Sequence, residues 1–452
     1  MDSDPLVLPM CTIQPDFLSV ISDVHQGLTP EDTFWLSCYK SGEPSVHGKV
    51  YATLDDLNRD LVRFEGRDGV ELLRSGEALY SASCSPLHIP PTRLAVPTKT
   101  YSEHEGRKAL KITAFDVSPD GSQFATGHMD GSIHISQTSQ SRPTNSCRPH
   151  VSTVTSLRFF PSSRVLLTSS VDFSLAILPA APPEEPSATQ GPIMPVRRFR
   201  GHTRGITSTA IVSKGRNLLS AARDGTVRLW DVPSESQIRM MGSANGNNVP
   251  VLAISVGEGS LQADGTAADE AGTDPREVDT EDKLVFAALQ DGTFEAFDLR
   301  TKLSVFRSQA QPARGKSVLQ AIAYAPTEDL VATGSTNGIV AVYDTRALAT
   351  PLTTFKRNTA SVEDLTFVPL DASSFATDAR ALDGSGIGLA VATEDGLPYI
   401  ADVRPEGPGV RAELVGPDCE AVRAVCVVQT QEPEVWTAAD DGAVRRYRVR
   451  GV

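Results

Sequence analysis

Residues 201 to 232 read GHTRGITSTAIVSKGRNLLSAARDGTVRLWDV: Gly-His, an alternating run, a Lys-Gly turn, a second run, an Asp-Gly turn, and a third run ending Trp-Asp. Period-two alternation between Gly or Asp turns is the pattern of short strands, not helices. The same grammar recurs at 109 to 136, 152 to 178 and 317 to 346, in VPVLAISVG with KLVFAALQDGTFEAFDLR, in VEDLTFVPL with IGLAVATEDGLPYIADVR, and in the closing AVRAVCVVQTQEPEVWTAADDGAVRRYRV. Seven copies emerge, anchored at turn residues Asp130, Asp172, Asp224, Asp291, Asn337, Asp395 and Asp441 and spaced 42, 52, 67, 46, 58 and 46 residues apart. A four-stranded unit needs about 40 to 45 residues, so the longer steps require insertions. Residues 257–282 and 371–386 supply them.

A small antiparallel sheet with two apolar faces cannot bury both alone, so such units stack, and closing the stack into a ring removes the exposed ends. The repeats match the WD-repeat signature. The expectation is therefore all-β: a seven-bladed WD40-type β-propeller over 96–452, behind a small N-terminal β-rich or α+β domain over 1–95. The chain stops just after the third strand of its last copy, which leaves that blade short of an outer strand. Residues 96–102, VPTKTYS, lie immediately before the first copy and are placed to supply it.

His202, Ser220, Asp224 and Trp230 stand at the WD-repeat spacing for a buried relay: Asp to His, His to the strand hydroxyl, hydroxyl to the indole N–H. Such a network stabilises only when every member is satisfied. The same Ser, His and Asp read as a hydrolase triad would need a nucleophile elbow, and none accompanies them. Other copies keep fragments: Tyr343-Asp344, Phe297-Asp298 and Tyr447 replace the Trp-Asp ending, and only His150 precedes a first strand as His202 does. Most blades are thus expected to cohere by packing, and a strict repeat search to score one or two copies.

With 42 basic and 56 acidic residues the net charge is −14, and 40% of the chain is hydrophobic. That is the composition of a folded acidic protein. The acidic balance argues against broad nucleic-acid binding, which rewards positive surface. MDSDPLVLPM lacks a basic n-region, and no run approaches about 18 apolar residues, so neither a secretory signal nor a membrane span is expected. Six scattered cysteines without a CxxC pair read as reduced thiols in the cytoplasm or nucleus. No HExxH, carboxylate-histidine cluster, Walker loop or dinucleotide glycine pattern occurs. No catalysis, metal or cofactor is expected.

Residues 1–95 break the repeat and carry 14 acidic against 7 basic residues. TFWLSCYK and SVHGKVYATL read as strands; QPDFLSVISDV and DLNRDLVRFEGRDGVELLRS have mixed propensity. The segment 257–282 has nine acidic residues, one basic and no aromatic, which is the composition of a mobile loop or an acidic interaction segment. Between 197 and 228 lie Arg197, Arg198, Arg200, Arg204, Lys214, Arg216, Arg223 and Arg228, without the aromatic interleaving that a nucleic-acid groove shows. Residues 179–195 are Pro-rich and read as an extended connection.

The order WLSCYKSGEPSVHGKV, RFFPSSRVLLTSSVD, GHTRGITSTAIVSKGRNLLSAARDGTVRLWD, the acidic segment ending EVDTEDK, and AADDGAVRRYRV resembles the proteasomal ATPase-associated factor 1 and Rpn14 family of 19S regulatory particle assembly chaperones. The resemblance implies a monomeric, non-catalytic chaperone that binds the C-terminal domain of a proteasomal ATPase subunit, Rpt6-like, and blocks premature docking on the 20S core. The alternative is a general WD-repeat scaffold or substrate adaptor in another complex. Family contacts do not transfer residue by residue, so the partner-binding candidates come from topology, on the rim formed by the connections between blades and the turns after each second strand. They are Glu103, Glu105, Asp130, Asp172, Asp291, Glu394, Asp395, Asp418, Glu420, Asp440 and Asp441.

Overall fold

The structure, a computed structural model, describes residues 4–448 except 56–60, 103–108, 141–142, 181–192, 243–247, 262–273, 311–316, 371–385, 404–407 and 430–432. Seven antiparallel four-stranded blades form the ring. Their innermost strands, here called a, are Ile112–Val117, Val154–Phe159, Ile206–Val212, Val251–Glu258, Leu319–Ala325, Val362–Leu370 and Val422–Gln429 for blades 1 to 7. Each a strand contacts the next, and the last returns to the first. This is the propeller that the repeats imply.

The ring is tight because each blade presents the same device at the same place. The first residue of every a strand is an aliphatic side chain out of solvent: Ile112, Val154, Ile206, Val251, Leu319, Val362 and Val422. Directly after each, the register slips by one residue against the second strand. A bulge of this kind bends and twists the strand, turning the blade as closure requires. Glycines make room where blades meet: a Cβ on Gly334 would lie 2.4 Å from Val362, and one on Gly127 would lie 2.6 Å from Val154.

The missing outer strand of blade 7 is Lys99–Ser102, antiparallel to Ala443–Arg448. Tyr101 from it stacks on Trp436 with centroids 5.7 Å apart and meets Phe124 of blade 1 at 4.8 Å. The latch therefore joins the last blade to the first through one aromatic cluster.

The N-terminal region has its own core and is α+β. The sheet of Met10–Ile13, Glu31–Tyr39, Val46–Leu54 and Val62–Gly66 packs against the helix Phe17–His25, which buries Phe17, Ile21 and Val24. It is joined to the ring by strand pairing rather than by packing alone. Ile89–Ala95 pairs in parallel with the outer strand of blade 6, Val410–Leu414, and carries Leu79–Cys84 and Val70–Arg74 beyond it. Leu6–Val7 pairs in parallel with the outer strand of blade 5, Thr353–Lys356. The first 102 residues thus hold the outer edges of three successive blades.

The mobile-loop reading of 257–282 needs correction. Residues 257 and 258 belong to the a strand of blade 4, and 274–282 are fixed against blade 3. Asn217, fully buried, donates to Arg276 O at 3.0 Å and accepts from the Val278 N–H at 2.7 Å. Glu277 pairs with Arg239 away from solvent. Composition averages over such specific partners. Residues 262–273 and 371–385, at the centre of the two insertions, lie outside the described residues.

Candidate protein-docking face

One rim of the ring is built from the turns after each second strand and from the connections between blades. The turns share one geometry. An Asp accepts the backbone N–H two residues on, at Asp130, Asp172, Asp224, Asp291, Asp395 and Asp441. The residue after it has positive φ, which favours glycine.

In blade 3, His202 Nδ1 lies 2.9 Å from Asp224, His202 Nε2 lies 2.7 Å from Ser220 Oγ, and Trp230 Nε1 donates to Ser220 Oγ at 2.8 Å. Asp224 also accepts from Thr226 Oγ1 and from the Thr203 N–H. Burial alone would raise the Asp224 carboxyl, but these hydrogen bonds outweigh it and hold it well below the usual carboxylate range. Blade 2 repeats the arrangement with His150, Asp172 and Thr168, at 3.1 and 3.0 Å. The sequence carried a signal for this second relay, because His150 and Asp172 have the same separation as His202 and Asp224.

The acidic candidates sort by what already holds them. Glu103 and Glu105 lie outside the described residues. Asp172 and Asp440 are corrected to internal roles: Asp172 faces His150, and Asp440 takes Arg423 and Lys111 with its side chain 6% exposed. Asp130 caps Ser132, Asp291 pairs with Arg307, Asp395 binds Asn358, and Asp441 pairs with Arg445. Glu394, Asp418 and Glu420 remain exposed, with no side-chain partner among the described residues. They are neighbours, since the turn of Glu394 is seated so closely on the connection of Asp418 that a Cβ on Gly396 would lie 2.6 Å from Cys419.

The a strands line a central channel whose walls hold a cavity of about 480 Å³, faced by Asp116, Arg158, Ser255, Asp364, Thr366 and Gln429 among others. Polar side chains tie blade to blade here. Asp116 accepts the Phe159 N–H at 2.6 Å, Asp364 the Val425 N–H at 3.0 Å, Ser208 the Ile254 N–H at 3.3 Å and Ser255 the Tyr324 N–H at 3.1 Å. Desolvation in the channel pushes both carboxyls, Asp116 and Asp364, up to about 6 despite Arg158. Among the described residues, no group of three or more His, Cys, Asp or Glu is placed to hold a metal ion.

A family model described as WD domain, G-beta repeat matches residues 95–135, 141–177 and 193–231, one copy more than the upper expectation. A second, described as Nucleolar protein 10-like, N-terminal domain, matches residues 236–383. WD repeat-containing protein 37 from Pongo abelii is 27% identical over 44% of this chain and 37% of its own length. Striatin-3 from Bos taurus is 34% identical over 47% of this chain and 28% of its own. Pre-mRNA-processing factor 19 from Oryza sativa subsp. japonica is 21% identical over 39% of this chain and 33% of its own. The chain thus spans well under half the length of these relatives. The relationships to WD-repeat proteins support a non-enzymatic role.

Proposed function

The chain is a WD-repeat β-propeller protein related to other propeller-forming WD proteins, and we propose that it works as an interaction scaffold whose rim of inter-blade connections docks a basic protein surface. The observation that carries this is the group Glu394, Asp418 and Glu420, exposed on that rim without side-chain partners among the described residues while neighbouring acids are consumed by the fold. An acidic surface facing lysines and arginines gains association rate and register more than raw affinity.

The partner in this reading is the C-terminal domain of a proteasomal ATPase subunit of the 19S base, Rpt6-like. Its support is the resemblance of five ordered segments that span both the N-terminal region and the propeller. Occupancy of that domain by a rigid ring excludes docking on the 20S core by steric overlap, with no chemistry required. Free thiols, including Cys11 and Cys38 with sulfurs 3.7 Å apart, fit a cytoplasmic or nuclear setting. Native mass spectrometry of the chain mixed with each ATPase C-terminal domain tests the reading. A one-to-one complex with one domain supports it, and free components throughout would leave a scaffold for a different complex.

A further inference from the structure

The turns after the second strands are the same in six blades and different in one. Gly131, Gly225, Gly292, Gly338, Gly396 and Gly442 follow the turn Asp or Asn with φ between 75° and 86°; in blade 2 the position is Phe173, at φ 70°. A bulky residue rarely adopts this left-handed conformation, and backbone strain of this kind is retained where surrounding structure or function holds it. The glycines are also needed for space. A Cβ would lie 2.3 Å from His150 O at Gly131, 2.3 Å from Ser317 O at Gly292 and 2.5 Å from Asn358 O at Gly338. Blade 2 sets a phenyl ring at the position the other blades leave bare, and that ring is 45% exposed.

Three more apolar side chains are exposed around it: Val151 at 85%, Met129 at 59% and Val171 at 42%. Hydrogen bonds bind their loops into one surface. The Val151 N–H donates to Asp172 at 3.1 Å, Thr153 Oγ1 to Met129 O at 3.2 Å, and the Val171 N–H to Thr153 O at 3.0 Å. The charge at the edge of this surface is basic. Arg148 is exposed and anchored to Asp130 O at 2.7 Å. On the other side Gly205 abuts Val171, and the Arg223 N–H donates to its carbonyl at 3.0 Å, which brings in the exposed Arg204 and Arg223. Of the acids within this region, Asp172 and Asp224 face inward onto His150 and His202, and Asp130, exposed beside Met129, is spent on Ser132 and offset by the charge of Arg148.

We propose that Met129, Val151, Val171 and Phe173 form a second docking site, for a short peptide segment of a partner that carries bulky apolar side chains flanked by Asp or Glu. An aromatic anchor among aliphatic neighbours, with arginines at the rim, is the make-up of an interaction hot spot. Charge complementarity selects an acidic occupant. Three of the four apolar groups have no ring face, so the surface is a poor stacking platform for nucleic-acid bases. The site lies on blades 1 to 3, apart from the acidic trio of blades 6 and 7, and stands or falls independently of the ATPase assignment.

The test pans a random peptide display library against the full chain, then titrates the selected peptides by fluorescence anisotropy. The expected peptides combine bulky apolar residues with Asp or Glu. Their affinity falls at least about tenfold on Val151→Ser and on Phe173→Gly, falls on the Arg148→Glu, Arg204→Glu double change, and is untouched by reversing Glu394 and Glu420. Val151 is almost fully exposed, so its substitution reads the surface without threatening the fold. The Phe173→Gly chain melts no lower than the wild type, because glycine accommodates the backbone better. Selection of basic or uncharged peptides, equal binding by the Val151→Ser chain, or displacement of the peptides by single-stranded oligothymidine would each overturn the proposal.

Discussion

Arg357 of blade 5 and Glu413 of blade 6 form an ion pair of 2.7 Å with both side chains almost out of solvent. Glu413 also accepts the Cys11 N–H at 3.0 Å from the N-terminal sheet, and the Arg357 guanidinium lies 4.4 Å over the Tyr399 ring. Burial raises the Glu413 carboxyl even against that guanidinium. The pair sits where the N-terminal domain meets the ring. Removing one partner from such a site strands a buried charge.

Glu413→Ala is therefore expected to cost about 3–5 kcal/mol in urea denaturation, whereas Arg357→Met with Glu413→Leu costs much less. Because strand 89–95 extends blade 6 and strand 99–102 completes blade 7, the N-terminal domain and the propeller should unfold in one transition. Coincident far-ultraviolet circular dichroism and tryptophan fluorescence curves would show it; two separated transitions would show the halves to be independent.

The relay acids set an acid limit. Asp172 and Asp224 are held well below the carboxylate range in the folded state, so their contribution is present above the unfolded value of 3.8 and is lost as pH falls through the lower folded values. Stability should drop progressively as pH falls below about 4, and Asp224→Asn should flatten that drop. At neutral pH, Ser220→Ala should cost about 1–3 kcal/mol, since it leaves His202 and Trp230 without their shared hydroxyl.

The channel acids have the opposite sign. Asp116 and Asp364 are raised from 3.8 to about 6, so the folded chain binds protons that the unfolded chain has released. Their ionisation opposes folding, fully so above pH 6, and stability should rise as pH is lowered from 7 towards 5. Each of Asp116→Asn and Asp364→Asn should stabilise the chain by about 1–2 kcal/mol at pH 7 and remove part of the slope. Denaturation midpoints at pH 7 and pH 5 measure both effects.

Most of the ring was legible because the information is local. Alternation gives each strand, and an Asp or Asn with a following Gly marks the turns; Asp172 marked its turn even with Phe173 in the glycine's place. Phe17, Ile21 and Val24 recur at helical spacing, but β-branched neighbours obscured the helix. The parallel pairing of Leu94 with Glu413 leaves no local trace, because the two strands are joined only by the fold. The rim acids were chosen by topology, which cannot distinguish Asp440, claimed by Arg423 and Lys111, from Glu420, which no side chain claims among the described residues. The internal partner decides that, and it lies far away in sequence.

The most direct test is calorimetry of the full chain, and of its Glu394→Lys, Asp418→Lys, Glu420→Lys variant, against the isolated C-terminal domains of the proteasomal ATPases. The account predicts a one-to-one complex with one of them, weakened by salt and lost in the variant at unchanged melting temperature. No heat with any domain, or equal binding by the variant, would contradict it.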